Sequence, residues 1–323
     1  MPRPDVELQG PERATLEDIE AVNRLFADAF TDRYHRDGMT GVRVPYLNRD
    51  IWRYAIEDAG EGAKLWRDAE GHLAAFNMVH QSGAEGWMGP LAVRPALQGS
   101  GVGTLVVHAG INWLKRKGAR IIGLETMPRT VENIGFYSRL GFVPGHLTVS
   151  VTKELNPRPA AVGLPGRRLS RTGSERIGRL AACRALTAAL APGVDYQREL
   201  LLTEELKLGD TTMLDGQDGG VLGFALWHSA PLAHGRAGEE FRVLKIAARD
   251  LPAFRALLET LERDAADLKA HRISLRCQTA FSEAYAALLD AGYRVHWTDL
   301  RMTLPGATER ITGPGIVMSN WEI

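Results

Sequence analysis

The sequence has few cysteines, no net charge and no long apolar run. Its 323 residues include two cysteines, Cys183 and Cys277, which lie far apart in apolar stretches and lack the spacing of a metal site. We therefore expect buried free thiols in a reducing compartment. The 39 basic and 39 acidic side chains cancel, so no general attraction for nucleic acid or for an anionic membrane is predicted.

Two further absences bear on location. No apolar run reaches the roughly 18 residues that a membrane-spanning helix needs. The first ten residues, MPRPDVELQG, lack the apolar core of a secretory signal. We therefore expect a cytoplasmic protein, and its 45% hydrophobic and 24% charged residues are typical of a globular one.

Hydrophobic periodicity predicts the elements of the first half. Short polar connections between the first three strands indicate an antiparallel meander. The predicted helices cover residues 15–30, 44–59, 102–117 and 131–140, and the predicted strands cover 63–67, 72–80, 86–93, 120–125, 142–143 and 147–152.

The second half repeats the first at an offset of 151 residues, the distance from Gly141 to Gly292. It contains a predicted helix at 177–190, strands at 222–228 and 241–246, and a long helix that continues to Leu268. These patterns predict an α/β fold of two tandem domains, each a mixed, mostly antiparallel sheet flanked by helices. The predicted domains are residues 1–155 and 167–305, with a linker at 156–166 and a C-terminal tail at 306–323.

Between the strand at 86–93 and the next helix lies the glycine-rich turn QGSGVG, residues 98–103. Glycines at alternate positions leave backbone N–H groups uncovered, and the helix start adds partial positive charge. The turn therefore predicts a phosphate-binding site. The corresponding segment of the second half, residues 247–252, reads AARDLP and has no glycine. Its Asp250 and Pro252 suit the start of a helix and not the binding of an anion.

The turn alone allows more than one interpretation. A Walker P-loop is excluded, because Thr104 and Leu105 follow the last glycine in place of Lys-Ser or Lys-Thr. A dinucleotide-binding Rossmann turn fits in part, but residues 94–97 separate the strand from the turn and a meander precedes it. A purely structural glycine turn is the third interpretation.

Two motifs carry a family resemblance. Residues 91–95, LAVRP, followed by QGSGVG, resemble the acetyl-CoA-binding signature Q/R-x-x-G-x-G/A of the GCN5-related N-acetyltransferases. Downstream, residues 133–142, NIGFYSRLGF, resemble the second motif of that superfamily. The resemblance covers residues 10–155 well and residues 167–304 in outline. The whole chain is thus similar to a tandem acetyltransferase pair with a degenerate C-terminal copy.

The resemblance implies an acetyl-CoA site in the first domain and no metal. Backbone amides from Gly99 to Thr104 would hold the CoA pyrophosphate, and the strand at 91–93 would pair with the pantetheine amides. Tyr137 is the implied general acid that protonates the departing thiolate. The implied cofactor-binding residues are Leu91, Ala92, Val93, Gln98, Gly99, Ser100, Gly101, Val102, Gly103, Thr104, Asn133 and Phe136.

The attacking amine must lose a proton to a base. Glu125, at a strand end beside the site, is the first candidate, with His80 and Glu85 as alternatives. Several family members keep a glutamate where this sequence has Trp87. Three aromatic residues either line an acceptor pocket or pack in the core: Trp52, Tyr54 and Trp87.

The sequence therefore predicts an acetyl-CoA-dependent N-acyltransferase that acts on a primary amine by direct attack on the thioester. The alternative is a non-catalytic acyl-CoA-binding sensor or interaction module. Expected partners are acetyl-CoA and an unidentified amine, without nucleic acid or membrane. The apolar tail, which ends in Trp321 and Ile323, is expected to pack across a groove between the domains or onto a second copy in a homodimer.

Overall fold

The computed structural model describes residues 7–155, 166–217, 219–233, 240–306 and 313–320. The predicted linker at 156–166 lies outside the described residues apart from Gly166, and so do Trp321 and Ile323 of the tail. The predicted bounds of the two domains stay predictions.

The first half contains six strands and four α-helices among its described residues. In chain order these are β1 (Gln9–Arg13), α1 (Ile19–Arg36), α2 (Arg49–Ala59), β2 (Ala63–Arg67), β3 (Leu73–Ser82), β4 (Glu85–Val93), α3 (Val102–Arg116), β5 (Ile121–Thr126), α4 (Val131–Arg139) and β6 (Val143–Glu154).

The described part of the second half follows a similar order and ends in an additional strand. Its elements are β7 (Arg167–Arg168), α5 (Arg176–Leu190), α6 (Gln197–Glu205), β8 (Gly209–Asp215), β9 (Val221–His228), β10 (Glu240–Ala248), α7 (Leu251–Asp267), β11 (Arg272–Gln278), α8 (Ser282–Asp290), β12 (Arg294–Thr303) and β13 (Ile316–Ser319).

Most predicted elements are present, and the exceptions have physical reasons. The two short strands predicted at 142–143 and 147–152 form one strand, β6, because an irregular register between Leu300 and Met302 of β12 accommodates the segment around Pro144. β1, β7, β8, β13 and α6 were not predicted. β1 contains Gly10 and Pro11, which argue against a strand interior but are tolerated at the edge of a sheet, where β1 lies.

All strands belong to one sheet in the order β1-β2-β3-β4-β5-β12-β6-β11-β10-β9-β8-β7, and β13 pairs with β10. β4 and β5 are parallel, as are β10 and β11, and the other pairs are antiparallel. The last long strand of each half crosses into the other half: β12 lies between β5 and β6, and β6 lies between β12 and β11. Among the described strands, β6 therefore reaches β5 only through β12.

Helices cover both faces of this sheet. In the first half, α1 and α2 pack on one face around Trp52 and Phe76, and α3 and α4 pack on the other around Val107 and Leu124. In the second half, α7 and α8 cover one face and α5 and α6 the other. The predicted mixed, mostly antiparallel sheet with flanking helices in two similar halves is confirmed. Trp87 of β4 packs in the cluster of α5 and α6, so the apolar core continues between the halves.

The state of the two cysteines matches the expectation from the sequence. Cys183 and Cys277 are buried free thiols, and burial raises the pKa of each to about 12. None of the described helices combines the length and the hydropathy that crossing a bilayer requires.

The exchanged strands predict that the halves do not fold separately. A fragment of residues 1–155 lacks β12, so β6 loses its link to the other strands of that half. Circular dichroism should show no cooperative thermal transition for this fragment alone. An equimolar mixture with residues 156–323 should restore the transition.

A matched control is the second fragment carrying Met302→Pro. This change removes a backbone donor from β12 at a buried position, and it should abolish the restoration. A lone fragment 1–155 that unfolds cooperatively at the midpoint of the full chain would contradict the expectation.

Candidate active site

β4 and β5 pair over only part of their length. Their parallel pairs run from Glu85 and Ile121 to Met88 and Leu124 and end there. Beyond this point, residues 91–93 of β4 stay paired with β3, whereas the end of β5 pairs with β12. The edge of residues 91–93 that faces β5 therefore borders an opening in the sheet. An extended molecule with amide groups can pair with such an edge.

The glycine-rich turn brings the start of α3 to this opening. Gly99 and Gly101 have φ angles of 78° and 98°, a region that favours glycine, and Gly101 is the N-cap residue of α3. The Leu105 amide donates a hydrogen bond to the Gly101 carbonyl at 3.2 Å. The amides at 102–104 come before Leu105 in the chain, and at a helix start such amides are available to an anion.

Side chains of the turn hold its shape. The Gln98 Nε2 donates to the carbonyl of Val93 at 3.1 Å, and the Ser100 hydroxyl donates to the carbonyl of Leu97 at 2.6 Å. These two predicted ligand residues therefore use their side chains within the loop. The 3₁₀ turn Pro95–Leu97 between β4 and the glycines, together with the antiparallel β3–β4 pair, does not fit a Rossmann turn.

α4 packs against this turn. A Cβ atom on Gly103 would lie 3.3 Å from the Phe136 ring, so glycine permits the close approach of α3 and α4. The ring of Tyr137 lies 5.1 Å from that of Phe136 and is buried in the apolar cluster with Leu124. Burial raises the pKa of Tyr137 to about 12. Asn133 is within 3.4 Å of the Thr126 hydroxyl at the end of β5.

Glu125 lies at the end of β5, but its carboxylate is engaged in ion pairs. Oε2 accepts from Arg276 at 2.6 Å, and Oε1 accepts from Arg301 at 2.8 Å and from Thr148 at 2.5 Å. Its side chain is only 6% exposed. Burial alone raises the pKa of Glu125, but the charges of Arg276 and Arg301 and the hydrogen bond from Thr148 outweigh it, so this pKa lies below its usual value.

These contacts argue against Glu125 as the base that was expected from sequence. A carboxylate held by two guanidinium groups and with a lowered pKa is a weak proton acceptor at neutral pH. The neighbouring Asp299 also contacts Arg276, at 2.8 Å. Burial raises the pKa of Asp299 despite that contact, and the charge of Glu125 contributes to the rise.

The two alternative bases, His80 and Glu85, lie on β3 and β4. The His80 ring lies between Asp58 Oδ2, 2.5 Å from Nδ1, and the Gly89 carbonyl oxygen, 3.1 Å from Nε2. Both ring nitrogens of His80 therefore lie against oxygen atoms of the protein itself. Glu85 lies where β4 and β5 are still paired, at the closed end of the sheet.

The candidate pocket aromatics pack in the core. Trp52 makes edge contacts with Phe26 and Phe76, and the Tyr54 ring lies 4.9 Å from that of His228. The buried Trp87 ring carries the guanidinium of Arg301 at 3.6 Å from its centroid. In the described part of the chain, no group of three His, Cys, Asp or Glu side chains is arranged to hold a metal ion.

At residues 247–252, the corresponding place in the second half, the glycine-rich turn has no equivalent. Asp250 is the N-cap of α7, and its carboxylate accepts the amide of Ala253 at 2.8 Å. Pro252 in the first turn has no N–H group. The Asp250 carboxylate therefore occupies the Ala253 amide and offsets the partial positive charge of the helix start, both of which would otherwise attract an anion.

Arg276 and Arg301 are site residues that the sequence analysis missed. A signal was present: Arg276 follows Glu125 by 151 residues, the offset of the repeat. Equivalent positions of β5 and β11 thus carry opposite charges. Such a pair becomes informative only when the strand exchange that brings the two positions together is known.

The ion pairs predict a large loss of stability in Glu125→Gln. The change leaves Arg276 and Arg301 buried with one carboxylate fewer, which should cost about 3 kcal/mol or more in the free energy of unfolding by urea. The control Glu20→Gln removes the ion-pair partner of Arg24, and the Glu20 side chain is 83% exposed. This change should alter the free energy of unfolding by less than about 0.5 kcal/mol.

The same variant has an expected pH dependence. Because its pKa is lowered, Glu125 contributes its full stabilisation above its unfolded pKa of about 4.3, and this contribution is lost as the pH falls through the folded value. The difference between the two proteins should therefore shrink below about pH 4. An equal difference at pH 3 and pH 7 would contradict the ion-pair role.

Comparison with known proteins gives a family match for part of the chain and similar folds for most of it. The model of the acetyltransferase (GNAT) family matches residues 19–142. A putative acetyltransferase from Pyrococcus horikoshii has 17% sequence identity and a TM-score of 0.66, with 95% of this chain and 92% of that chain covered.

Two further structures are similar over most of the chain. Saccharomyces cerevisiae N-myristoyltransferase with bound myristoyl-CoA has 11% identity and a TM-score of 0.62, with 93% of this chain and 83% of that chain covered. A tandem GNAT protein of the clavulanic acid biosynthesis pathway has 12% identity and a TM-score of 0.60, with 93% and 98% covered. At these identities the likeness shows the fold. The match to the acetyltransferase (GNAT) family model is confined to residues 19–142.

Proposed function

We propose that the protein is an acetyl-CoA-dependent N-acyltransferase that moves an acetyl group to a primary amine, with its active site in the N-terminal half. The observation that carries this proposal is the combination of an open β4–β5 edge with a helix start whose amides are available. The two features occur together in the first half, and in the second half the helix start is capped by Asp250.

The chain fits an acyl-CoA at this place. The amides at 102–104 suit the pyrophosphate, and the free edge of residues 91–93 suits the amides of the pantetheine arm. Thr104 and Gly101 are exposed, whereas Val93 and Val102 pack together beneath the turn and fix its position on β4. The myristoyl-CoA bound to the structurally similar N-myristoyltransferase supports an acyl-CoA in this fold.

Tyr137 is the proposed acid. Acetyl-CoA supplies the acyl group, and the amine attacks its thioester carbonyl while a strand amide holds the developing oxyanion. Burial keeps the phenol of Tyr137 protonated at neutral pH, so its hydrogen is available to the departing thiolate. Because a phenol of this pKa is a weak acid, hydrogen bonding to the sulfur is its main contribution before the proton moves.

Glu125 has a different proposed role. Its ion pairs hold the end of β5 in place beside the opening, and Asn133 connects that end to α4. Glu125 therefore has a positioning function, and water at the opening accepts the proton of the amine. The rate should then rise with pH as the acceptor amine itself loses its proton.

The alternative function is an acyl-CoA-binding module without turnover. The observation that favours it is that Glu125 is held in buried ion pairs and that both ring nitrogens of His80 contact oxygen atoms of the protein. Release of free CoA thiol in the presence of a panel of primary amines separates the two functions. Binding without any release, across the panel, would support the sensor.

The binding site can be tested with two matched glycines. Gly101 and Gly118 lie at opposite ends of α3, have φ angles of 98° and 78°, and have open space where a Cβ would be placed. Aspartate at either position carries similar backbone strain, but only Gly101→Asp puts a carboxylate at the helix start.

Acetyl-CoA at about 100 times its Kd should stabilise the unmodified protein by about 2.7 kcal/mol, seen as a rise of several degrees in Tm. This rise should disappear in Gly101→Asp and persist in Gly118→Asp. Loss of the rise in both variants, or no rise in the unmodified protein, would refute the proposed site.

Tyr137→Phe tests the acid. We expect kcat to fall about 10²-fold in an assay of CoA thiol release, because the donor to the thiolate is lost. The Kd for acetyl-CoA should stay the same. The control is Tyr285→Phe on α8, the matching helix of the second half, which should leave kcat unchanged. Equal rates for all three proteins would exclude Tyr137 as the acid.

A further inference from the structure

The second half has an opening in its sheet at the same place as the first. β10 and β11 pair in parallel from Glu240 and Arg272 to Val243 and Leu275, which are four residue pairs. β4 and β5 also form four pairs before they part. Residues 245–248 of β10 therefore correspond to residues 90–93 of β4, the segment that borders the proposed pantetheine site.

The two openings differ in what lies against this edge. In the second half, β13 pairs antiparallel with the edge, from Lys245 and Ser319 to Ala248 and Ile316. The amide of Asn320 continues the ladder to the Leu244 carbonyl at 2.7 Å. Residues at the end of the chain thus take the backbone groups that the first half leaves to a ligand.

β13 is also held from β11, across the opening. The Gln278 Nε2, at the end of β11, donates to the Ser319 carbonyl at 3.0 Å. The Lys245 ammonium donates to the Asn320 carbonyl at 2.9 Å, and Arg301 is 3.4 Å from the Ser319 hydroxyl. These contacts join both sides of the opening to one short strand.

Side chains of β13 fill the space around it. Ile316 and Met318 are 5% and 1% exposed and pack in the apolar cluster of α7 and α8. Val317 points to the other face, in the cluster of α5. A Cβ atom on Gly315 would lie 2.4 Å from Leu190 Cδ2, so the chain enters the opening in close contact with α5. Strand and side chains together close the opening.

We propose that β13 is a built-in occupant of the second opening and takes the place there that the first half keeps for the acyl-CoA arm. The second half then accepts an extended peptide by strand addition and has no acyl-CoA site, so the chain binds one acyl-CoA. The identity of the ligand in the first half rests on the proposed function, but the identity of the occupant in the second half does not.

The test removes the strand and returns it as a peptide. A chain that ends at residue 312 should have a Tm lower by at least about 5 °C, because the buried side chains of β13 and its ladder are lost. A peptide of residues 313–320 should restore most of the loss at saturating concentration. The same peptide with Met318→Pro should not, since proline cannot donate a backbone hydrogen bond within the strand.

Three outcomes would overturn the proposal. They are an unchanged Tm in the shortened chain, equal rescue by both peptides, and two acetyl-CoA molecules bound per full-length chain by calorimetry. The two Tm measurements do not involve acetyl-CoA, so failure of the proposed enzymatic function would leave them intact.

A second design covers a shortened chain that fails to fold. A protease site placed between Gly306 and Gly313 allows the full chain to fold before it is cut. The cut tail should remain bound through gel filtration and exchange with an excess of labelled peptide 313–320, but not with the Met318→Pro peptide. Loss of the tail on cutting without any change in Tm would refute the proposal.

Discussion

The buried ion pair between Glu125 and Arg276 is the constraint on which the rest of the structure depends. The two residues occupy equivalent positions in the two halves, and they meet because β12 and β6 cross over between β5 and β11. Removing two charges from water is unfavourable unless each keeps a partner, so Arg301 and Thr148 complete the arrangement. The ends of β5 and β11 are thereby fixed relative to each other, and with them the two openings of the sheet.

From this shared frame the halves differ through local sequence. Glycines at 99, 101 and 103 give the first half a helix start with available amides, whereas Asp250 and Pro252 give the second half a closed one. The opening of the second half is bordered by the backbone edge of residues 245–248, whose N–H and C=O groups need hydrogen-bond partners. β13 covers it with Ile316 and Met318, which explains why a tail beyond the repeat is part of the fold.

The sequence predicted well the features that depend on neighbouring residues. The meander, the turn at 98–103 and the α4 segment around Tyr137 each follow from periodicity or from glycine chemistry within a few residues. The strand exchange could not be predicted, because β6 and β12 have the same alternation whichever half they join. The prediction of Glu125 as a base has the same limit, because a carboxylate at a strand end suggests a base as long as its contacts with Arg276 and Arg301 are unknown.

The contacts of Glu125 set the demands of stability against those of proton transfer. A general base must gain and lose a proton in every turnover, and its pKa is best placed near the working pH. A carboxylate that holds two buried guanidinium groups must keep its charge, because each protonation would remove a charged partner from both Arg276 and Arg301. The same residue cannot satisfy both demands. The ion pairs therefore make Glu125 part of the scaffold, and in the proposed function the chemistry at the opening falls to the acyl-CoA, the acceptor amine and the protonated phenol of Tyr137.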